Sequence, residues 1–232
     1  MKDNKKHIVC FSGGKDSTTM LLKMVKANME IDKIIFADTT LEYPEMYDYI
    51  NKIEKYIGRE IIKTTPKKSF DEWCYGKFVR GNHEGEIRGL PAVLYPCYWM
   101  RESKVNPMQF YTKGNHVYFG ITCNEQHRAK EKKDMHAHYP LIKWGMTENG
   151  CTYFLRNLGL LNPLYNHIKR TGCWLCPKQS TMSLRFLYNN HLDLWKKLKI
   201  YEQNSPRGFM IDKTLDEFEI QFKRENNRPK LF

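Results

Sequence analysis

One stretch near the start of this chain limits the folds available to it more than any other. Residues 8–11 form a short apolar run rich in β-branched side chains, and Gly13 and Gly14 come soon after it. An amphipathic segment then covers residues 17–27, with its apolar side chains at helical spacing. This order predicts a strand, a tight loop and a helix, the local arrangement that binds phosphate in many α/β folds.

The loop carries the residue types that an anion site needs. Glycine permits a sharp turn, and the helix after it presents free N–H groups and the positive end of its dipole. Lys15 adds a positive charge, and Ser12 and Ser17 add hydroxyl groups. Asp16 is expected to cap the helix or to help hold a metal ion. The spacing differs from that of a Walker A loop, in which the lysine follows a second, separated glycine.

Residues 12–17, Ser-Gly-Gly-Lys-Asp-Ser, resemble the PP-loop of the adenine-nucleotide α-hydrolase superfamily. In that superfamily the loop grips the β- and γ-phosphates of ATP as one pyrophosphate unit, so the resemblance implies attack on the α-phosphate. An ordinary Gly-Gly turn with a capping Asp-Ser pair is the alternative. The residues implied to hold the nucleotide are Ser12, Gly13, Gly14, Lys15, Asp16 and Ser17, and those implied to act in catalysis are Lys15, Asp16 and Arg128.

A second candidate position, Asp38, follows a predicted strand over residues 31–37. In open parallel sheets, ligands lie beyond the carboxyl ends of the strands, so we expect Asp38 near the nucleotide or its metal. Residues 36–45 resemble a block of the phosphoadenosine phosphosulfate reductase family within the same superfamily. Thr40 stands where that family commonly has glycine. A strand-end cap is the alternative role of Asp38.

A further strand is predicted over residues 117–121, and the segment at its end resembles the family pattern Gly-Ile-Arg-x-x-Glu-Ser-x-x-Arg. Gly120, Ile121 and Glu125 match this pattern and Arg128 stands close to its last arginine, whereas Thr122 stands where an arginine is usual. The resemblance implies that Gly120, Glu125 and Arg128 contact the nucleotide. Arg128 is the expected clamp on the α-phosphate, because a guanidinium group offers two parallel donors to phosphate oxygens.

Three cysteines form the candidate metal site. Cys173 and Cys176 lie in a Gly-Cys-x-x-Cys-Pro segment, a spacing that lets both thiolates point at one metal ion. The resemblance adds Cys97, at a position where iron–sulfur members of the family hold a cluster. Two interpretations stay open: a [4Fe–4S] cluster with one iron lacking a cysteine, and a Zn²⁺ site completed by Cys74, a histidine or water. Three reduced cysteines without a metal are the remaining alternative.

Composition restricts the partners and the compartment. The chain has 38 Lys and Arg against 26 Asp and Glu, a net charge of +12. This excess favours a polyanion such as tRNA or DNA, or a phosphate-rich small molecule, and a solvated basic surface is the alternative. Seven cysteines, an odd number, favour free thiols and metal ligands over disulfides. We expect a cytoplasmic protein without membrane contact, because no apolar run approaches the ~20 residues of a membrane span and no signal-peptide pattern appears.

The expected architecture is an α/β fold with a doubly wound, mainly parallel sheet. We expect a nucleotide-binding domain with a cysteine-rich site over residues 1–180, followed by a helical extension over residues 181–232. Apolar residues between 184 and 201 recur at helical spacing, which favours a helix packed on the domain. Residues 222–230 are basic and polar, and we expect this tail to order only on a polyanion or not at all.

The resemblance and the intact phosphate loop lead to one functional hypothesis. We expect an ATP pyrophosphatase that uses Mg²⁺, forms AMP and adenylates an oxygen of its substrate, which sulfur from a donor then displaces. Sulfonucleotide reductases of the family act through a cysteine near the C-terminus, and no cysteine follows Cys176 in this sequence. The alternatives are such a reductase, a sulfur-free adenylyltransferase, or a binding module with a structural metal. A second copy of this chain, in a homodimer, is a further candidate partner.

Overall fold

The structure is a computed structural model that describes residues 3–91, 96–130 and 136–227. The chain divides into two compact units. The first unit comprises Met1–Pro66 and Ser103–Asn166, and the second comprises Lys67–Glu102 and His167–Phe232. The boundary predicted at residue 180, between a nucleotide-binding domain and a helical extension, stays a prediction. Residues 228–232, which include the end of the predicted basic tail, lie outside the described residues.

A five-stranded parallel sheet forms the centre of the first unit, with the strand order β3-β2-β1-β4-β5. The central strand β1 pairs on one side with β2 and on the other with β4. This architecture confirms the expected α/β class with a parallel sheet. The strands are β1 His7–Phe11, β2 Lys33–Ala37, β3 Ile61–Thr64, β4 His116–Phe119 and β5 Ala137–His138.

Helices alternate with these strands in the first unit and build the second unit. A π-helical turn, Arg101–Val105, precedes α5, and two 3₁₀ turns cover Cys123–Glu125 and Pro163–Asn166. The α-helices are α1 Lys15–Lys26, α2 Pro44–Ile57, α3 Phe70–Cys74, α4 Tyr98–Met100, α5 Asn106–Thr112, α6 Gln126–Lys130, α7 Pro140–Lys143, α8 Glu148–Asn157, α9 Thr181–Asn190, α10 Leu192–Gln203 and α11 Leu215–Asn226. No helix in the described part of the chain is both long enough and apolar enough to cross a bilayer.

The position of α1 follows from the apolar residues that the sequence places along it. Met20, Leu21 and Met24 are completely buried, and the sheet supplies buried aliphatic side chains from β1 and β2. Helix α8 packs on α1, where the Thr19 hydroxyl donates to the Cys151 carbonyl at 3.3 Å. The chain runs from β1 to β2 and β3 on one side of the sheet and later adds β4 and β5 on the other. The carboxyl end of β1 therefore lies at the switch point where open α/β sheets bind ligands.

Histidines cluster on the opposite, amino-terminal side of this sheet. The rings of His7 and His116 stack with their centroids 4.9 Å apart, and Nδ1 of His116 lies 2.9 Å from Nε2 of His138. His136 packs edge-on against His116 at 5.4 Å. Burial, and then the charges of His116, Lys143, His7 and His136, lower the pKa of His138. Protonation of the His138 ring is therefore disfavoured at this end of the sheet.

Aromatic side chains form the core of the second unit. The Phe70 ring meets the Trp99 and Tyr201 rings edge-on at 5.2 and 5.1 Å, and Trp73 lies beside Phe70 and Trp99. The Tyr201 hydroxyl donates to Asp71. These contacts hold α3 against α10, although the two helices are more than 110 residues apart in the sequence. Tyr201 belongs to the predicted helical stripe, which the structure divides between α9 and α10.

Helix α11 corrects the expectation of an unordered tail over its first part. Residues 222–226 form the last turn of α11, and Phe222 is completely buried. The helix begins with a capping box, in which the Thr214 hydroxyl accepts from the Glu217 N–H while the Glu217 carboxylate accepts from the Thr214 N–H. The apolar positions Leu215, Phe218 and Phe222 then follow at helical spacing. These local signals outweigh the basic character of the segment.

Candidate nucleotide site

The loop after β1 has a backbone shape that requires glycine at its first turn. Gly13 has a φ of +70°, a region that residues with a side chain rarely adopt. A β-carbon at this position would also overlap the sulfur of Met46. The Gly13 carbonyl accepts a hydrogen bond from the side-chain amide of Asn162 at 3.1 Å. The loop is therefore held in one compact conformation at the switch point of the sheet.

Ser12 and Ser17 stabilise this loop by hydrogen bonds within it. The Ser12 N–H donates to the Ser17 hydroxyl oxygen at 3.1 Å, and the two hydroxyl oxygens lie 2.9 Å apart. The Ser17 hydroxyl also donates to the Gly14 carbonyl at 3.1 Å. Gly14 is the N-cap of α1 and provides no capping side chain. The hydrogen-bonded loop thus leads directly into the amino end of α1, where the dipole favours an anion.

Asp16 lies in the first turn of α1 and is not the cap of that helix. Its Oδ1 atom is buried and has no hydrogen-bond partner in the part of the chain that the structure describes. Burial is the main cause that raises the pKa of Asp16; the charge of Lys15 opposes the rise and that of Glu148 adds to it. The cap interpretation is therefore wrong, while a buried carboxylate oxygen without a partner suits a cation such as Mg²⁺.

Lys15 is held by oxygen atoms of its own unit. Its Nζ lies 2.9 Å from the Glu148 carboxylate and 3.5 Å from that of Asp16. Its backbone N–H donates to the Tyr165 hydroxyl at 3.0 Å. Burial alone would lower the pKa of Lys15, but the hydrogen bond to Glu148 and the charge of Asp16 outweigh it and raise the pKa. The lysine is therefore a firmly protonated cation at the phosphate loop.

Gly120 lies against the start of α1 at the end of β4. A β-carbon at Gly120 would come within 2.7 Å of both the N and Cα atoms of Ser17. Only a glycine lets these two backbone segments approach so closely. This predicted residue is thus a neighbour of the loop, in a packing arrangement that shapes the site, and its contact with a nucleotide stays a prediction.

Asp38 follows β2, the strand next to β1, and lies at the same edge of the sheet. Its Oδ1 atom accepts from the Thr40 N–H at 2.7 Å and from the Tyr47 hydroxyl at 2.9 Å. Thr40 has a φ of +61°, a left-handed conformation that glycine adopts without strain. This explains physically why the resembled family commonly has glycine at the position. Asp38 fixes the turn after β2, and its contact with a nucleotide stays a prediction.

Glu125 and Arg128 pair with each other, with the guanidinium Nη1 2.7 Å from the carboxylate. The Arg128 side chain is half exposed. Between them and Gly120 lies Thr122, which is completely buried and whose hydroxyl oxygen has no hydrogen-bond partner among the described residues. The role of Arg128 as an α-phosphate clamp stays a prediction, and it requires this ion pair to open or to share the guanidinium group.

The three predicted metal ligands all belong to the second unit. Cys173 and Cys176 lie on one tight turn, in which the Cys176 N–H donates to the Cys173 carbonyl at 3.0 Å. Cys97 is the N-cap of α4, shortly after residues 92–95, which lie outside the described residues. Within the described ranges, no three His, Cys, Asp or Glu side chains lie close enough to hold a metal ion. The described arrangement of the three cysteines thus does not fit an iron–sulfur cluster or a zinc ion. Their assignment as metal ligands stays a prediction.

Burial sets the chemistry of two other cysteines. It raises the pKa of Cys74, and likewise that of Cys151, to about 12. Cys74, one of the candidates for the fourth ligand of zinc, is completely buried, and so is Cys151. Both side chains therefore act as buried apolar groups.

Sequence reasoning missed three residues of the site. Glu148, Asn162 and Tyr165 each bond directly to residues 13–15. Asn162 and Tyr165 belong to an Asn-Pro-Leu-Tyr segment that resembles the same reductase family, and this resemblance was the available signal. Glu148 had no signal in the sequence, because its partner Lys15 lies 133 residues away.

Comparison with known families agrees with the fold and the loop. Residues 6–79 match the sequence model of the phosphoadenosine phosphosulfate reductase domain. The match covers β1 to β3 with the phosphate loop and Asp38, and it confirms the resemblance recognised from the sequence motifs.

Two curated relatives are uncharacterized proteins of Methanocaldococcus jannaschii. One is 26% identical over 215 residues, covering 84% of this chain and 41% of the relative. The other is 25% identical over 236 aligned residues, covering 90% of this chain and 53% of the relative. This chain therefore spans about half the length, or less, of the curated relatives it matches.

Two solved structures are similar to this chain at low sequence identity. The phosphoadenylyl-sulfate reductase from Candida auris, in a phosphate complex, has a TM-score of 0.51 and 17% identity, covering 73% of this chain and 81% of that one. The U34-tRNA thiolase NcsA from Methanococcus maripaludis, with its [4Fe-4S] cluster, has a TM-score of 0.46 and 16% identity, and the match covers 99% of this chain and 74% of the thiolase. The reductase likeness supports the α/β fold described above.

Proposed function

We propose that this chain, in which residues 6–79 match the phosphoadenosine phosphosulfate reductase domain, is an ATP pyrophosphatase that activates its substrate by adenylation. The observation that carries the proposal is the Ser-Gly-Gly-Lys-Asp-Ser loop, which is closed by its own hydrogen bonds at the switch point of the sheet. In the proposed reaction, a substrate oxygen attacks the α-phosphorus of ATP, and the bond from that phosphorus to pyrophosphate breaks. A sulfur nucleophile then attacks the substrate carbon, and AMP leaves with the oxygen.

Each loop residue has a defined task in this proposal. The amino end of α1 and the protonated Lys15 bind the two outer phosphates, whose negative charge grows as pyrophosphate leaves. Ser12 and Ser17 orient phosphate oxygens through their hydroxyl groups. Gly120 allows β4 to lie close to this loop, and Arg128 is the proposed contact to the α-phosphate. Asp16 is the candidate protein ligand of Mg²⁺, which would offset part of the negative charge of the phosphates when bound.

The acceptor is proposed to be a base in tRNA or DNA, or a small molecule. The net charge of +12 supports a polyanionic acceptor. Sulfur transfer, the sulfur donor and a homodimer belong to the same proposal and rest on the family resemblance. We assign no step to an iron–sulfur cluster or to zinc, because the described cysteines do not assemble into a metal-binding group.

The proposal predicts a specific product from labelled nucleotide. Incubation of the protein with Mg²⁺, an acceptor, a sulfur donor and ATP labelled at the α-phosphate should give AMP, with pyrophosphate in equal amount. Lys15→Ala should abolish turnover, while Lys26→Ala, which removes an exposed cation from the other end of the same helix, should leave it unchanged. ADP as the product, or no turnover with any acceptor, would contradict the proposal.

Two further measurements address the acceptor and the metal. Profiling the modified nucleosides of RNA that copurifies with the protein tests the nucleic-acid acceptor, since an adenylated or sulfur-containing base should accumulate. Anaerobic purification with iron, sulfide and zinc analysis tests the cysteine set. If Cys97→Ser, Cys173→Ser and Cys176→Ser leave the metal content unchanged, these residues are not metal ligands.

A further inference from the structure

The ammonium group of Lys15 forms an ion pair with a carboxylate of the same unit. The Glu148 carboxylate lies 2.9 Å from Nζ, and Glu148 is the first residue of α8. Its backbone N–H donates to the side chain of Asn124 at 3.0 Å, which fixes the start of α8 beside the loop. The Lys15 side chain is 16% exposed and the Glu148 side chain 45%. The lysine is thus enclosed, while its partner has room to move into solvent.

The backbone N–H of Lys15 is occupied as well. It donates to the Tyr165 hydroxyl at 3.0 Å, and Nζ of the same lysine lies 5.7 Å from the centre of the Tyr165 ring. The two donors through which Lys15 would hold phosphate therefore both contact protein oxygens. One of these oxygens is charged, and the other is neutral.

These two oxygens take the place that phosphate oxygens would take. A ligand that engages Lys15 must displace the Glu148 carboxylate and offer at least the same charge to Nζ. Glu148 otherwise keeps its own negative charge beside the incoming anion and repels it. A chain of linked phosphates meets the requirement, because it carries several charges and spans more than one donor. An anion that stops short of the loop does not open the ion pair.

We infer that Glu148 and Tyr165 compete with the outer phosphates of a nucleotide for the two donors of Lys15, so that the loop is occupied by its own unit until a ligand with linked phosphates displaces them. The inference rests on the proposed function, since it assumes that the loop holds the β- and γ-phosphates of ATP. In that orientation AMP places its phosphate away from Lys15. AMP then neither opens the Glu148 ion pair nor gains from its removal.

The opposite role for Glu148 is that of a Mg²⁺ ligand. A carboxylate near the phosphates would then strengthen binding of the magnesium complex of ATP, and its neutralisation would weaken binding. The two roles therefore predict changes of opposite sign. This difference makes one substitution decisive.

The experiment measures dissociation constants by isothermal titration calorimetry for three ligands in Mg²⁺: ATP, pyrophosphate and AMP. Glu148→Gln should lower the dissociation constants of ATP and pyrophosphate roughly three- to fivefold, the effect of releasing a half-exposed ion pair, and leave that of AMP unchanged. Tyr165→Phe should lower them by a smaller factor, because the hydroxyl it removes is neutral. Glu60→Gln is the matched control, since it removes the same charge from an exposed position directly before β3 and should change nothing.

Three results would overturn the inference. Weaker ATP binding by Glu148→Gln would make Glu148 a metal ligand. Equal tightening of ATP, pyrophosphate and AMP would make Glu148 a general repulsive charge and not a competitor for Lys15. No change for any ligand, with an unchanged melting temperature, would remove it from the site. The proposed function fails separately, if wild-type protein binds no ATP or converts it to a product other than AMP.

Discussion

The close approach of Gly120 to the start of α1 allows a quantitative test of how the candidate site is built. In Gly120→Ala, the new β-carbon would lie 2.7 Å from the N and Cα atoms of Ser17 and 3.0 Å from the carbonyl carbon of Asp16. Ordinary van der Waals contact begins near 3.4 Å, so α1 or the end of β4 must move by about 0.7 Å. All three contacted atoms belong to the backbone and cannot rotate away.

Overpacking of this kind typically costs about 1–3 kcal/mol in the free energy of unfolding. With an assumed urea dependence of about 2 kcal/mol per molar, the midpoint of urea unfolding should fall by roughly 0.5–1.5 M. The measurement is far-UV circular dichroism across a urea series, with nucleotide binding followed on the same variant. Because the shift displaces the first turn of α1, ATP affinity should fall together with stability.

Gly172→Ala is the matched control for this substitution. Gly172 does not have a positive φ, and among the described residues other than its chain neighbours no atom lies within 4 Å of the place that its new β-carbon would take. Its replacement should therefore change the free energy of unfolding by less than about 0.5 kcal/mol. An unchanged midpoint in Gly120→Ala would show that the two backbone segments are farther apart than described. The packing account of the loop would then be wrong.

Three further predictions follow from groups outside the loop. Because the pKa of His138 is lowered, the unfolded chain takes up this proton at a higher pH than the folded chain, so the contribution of His138 to the free energy of unfolding is fully present above pH 6.5 and is lost as the pH falls towards the lowered pKa. Urea unfolding measured across this pH range should show the decrease, and His138→Gln should remove it. Thr214→Ala should destabilise α11 by about 1 kcal/mol in urea unfolding, whereas Thr214→Ser, which keeps the cap, should cost much less. With a pKa of about 12, Cys74 and Cys151 are thiolate in about one molecule in ten thousand at pH 8, so mass spectrometry after native iodoacetamide treatment should find both unmodified; rapid alkylation of either would contradict the burial described.

Local patterns in the sequence were sufficient to predict the centre of the first unit. The apolar run before Gly13 and the amphipathic segment after it specify β1, the loop and α1, because strand and helix periodicity act over a few residues. The position of Asp38 also followed from a general rule, since parallel strands end at one edge of the sheet. These predictions needed no knowledge of distant contacts.

Other features depend on contacts that a single sequence does not reveal. Glu148 and Tyr165 reach Lys15 from 133 and 150 residues away, and only Tyr165 belongs to a segment that resembles the same family as the loop. The left-handed conformation of Thr40 is set by the hydrogen bond from its N–H to Asp38, which shows only in the folded chain. The arrangement of the three cysteines likewise depends on how separate segments of the second unit pack.

Helix α11 lies within the predicted helical extension, but its last turn was expected to be unordered. The capping box and the apolar spacing of this helix are present in the sequence, and the basic residues of the tail were given more weight. Charge describes what a segment attracts, whereas capping and periodicity describe what it folds into. The helix shows that the second kind of signal should be examined first.

The central position of β1 means that the family-matched segment does not complete its own ligand pocket. A fragment ending at residue 79 would retain the glycine turn but lose β4, leaving one side of β1 as a bare hydrogen-bonding edge open to association with other chains. It would also lose the Asn162 amide that anchors the Gly13 carbonyl. The unit that holds the candidate site is therefore discontinuous in sequence, and shortened versions of this protein should extend at least to residue 166.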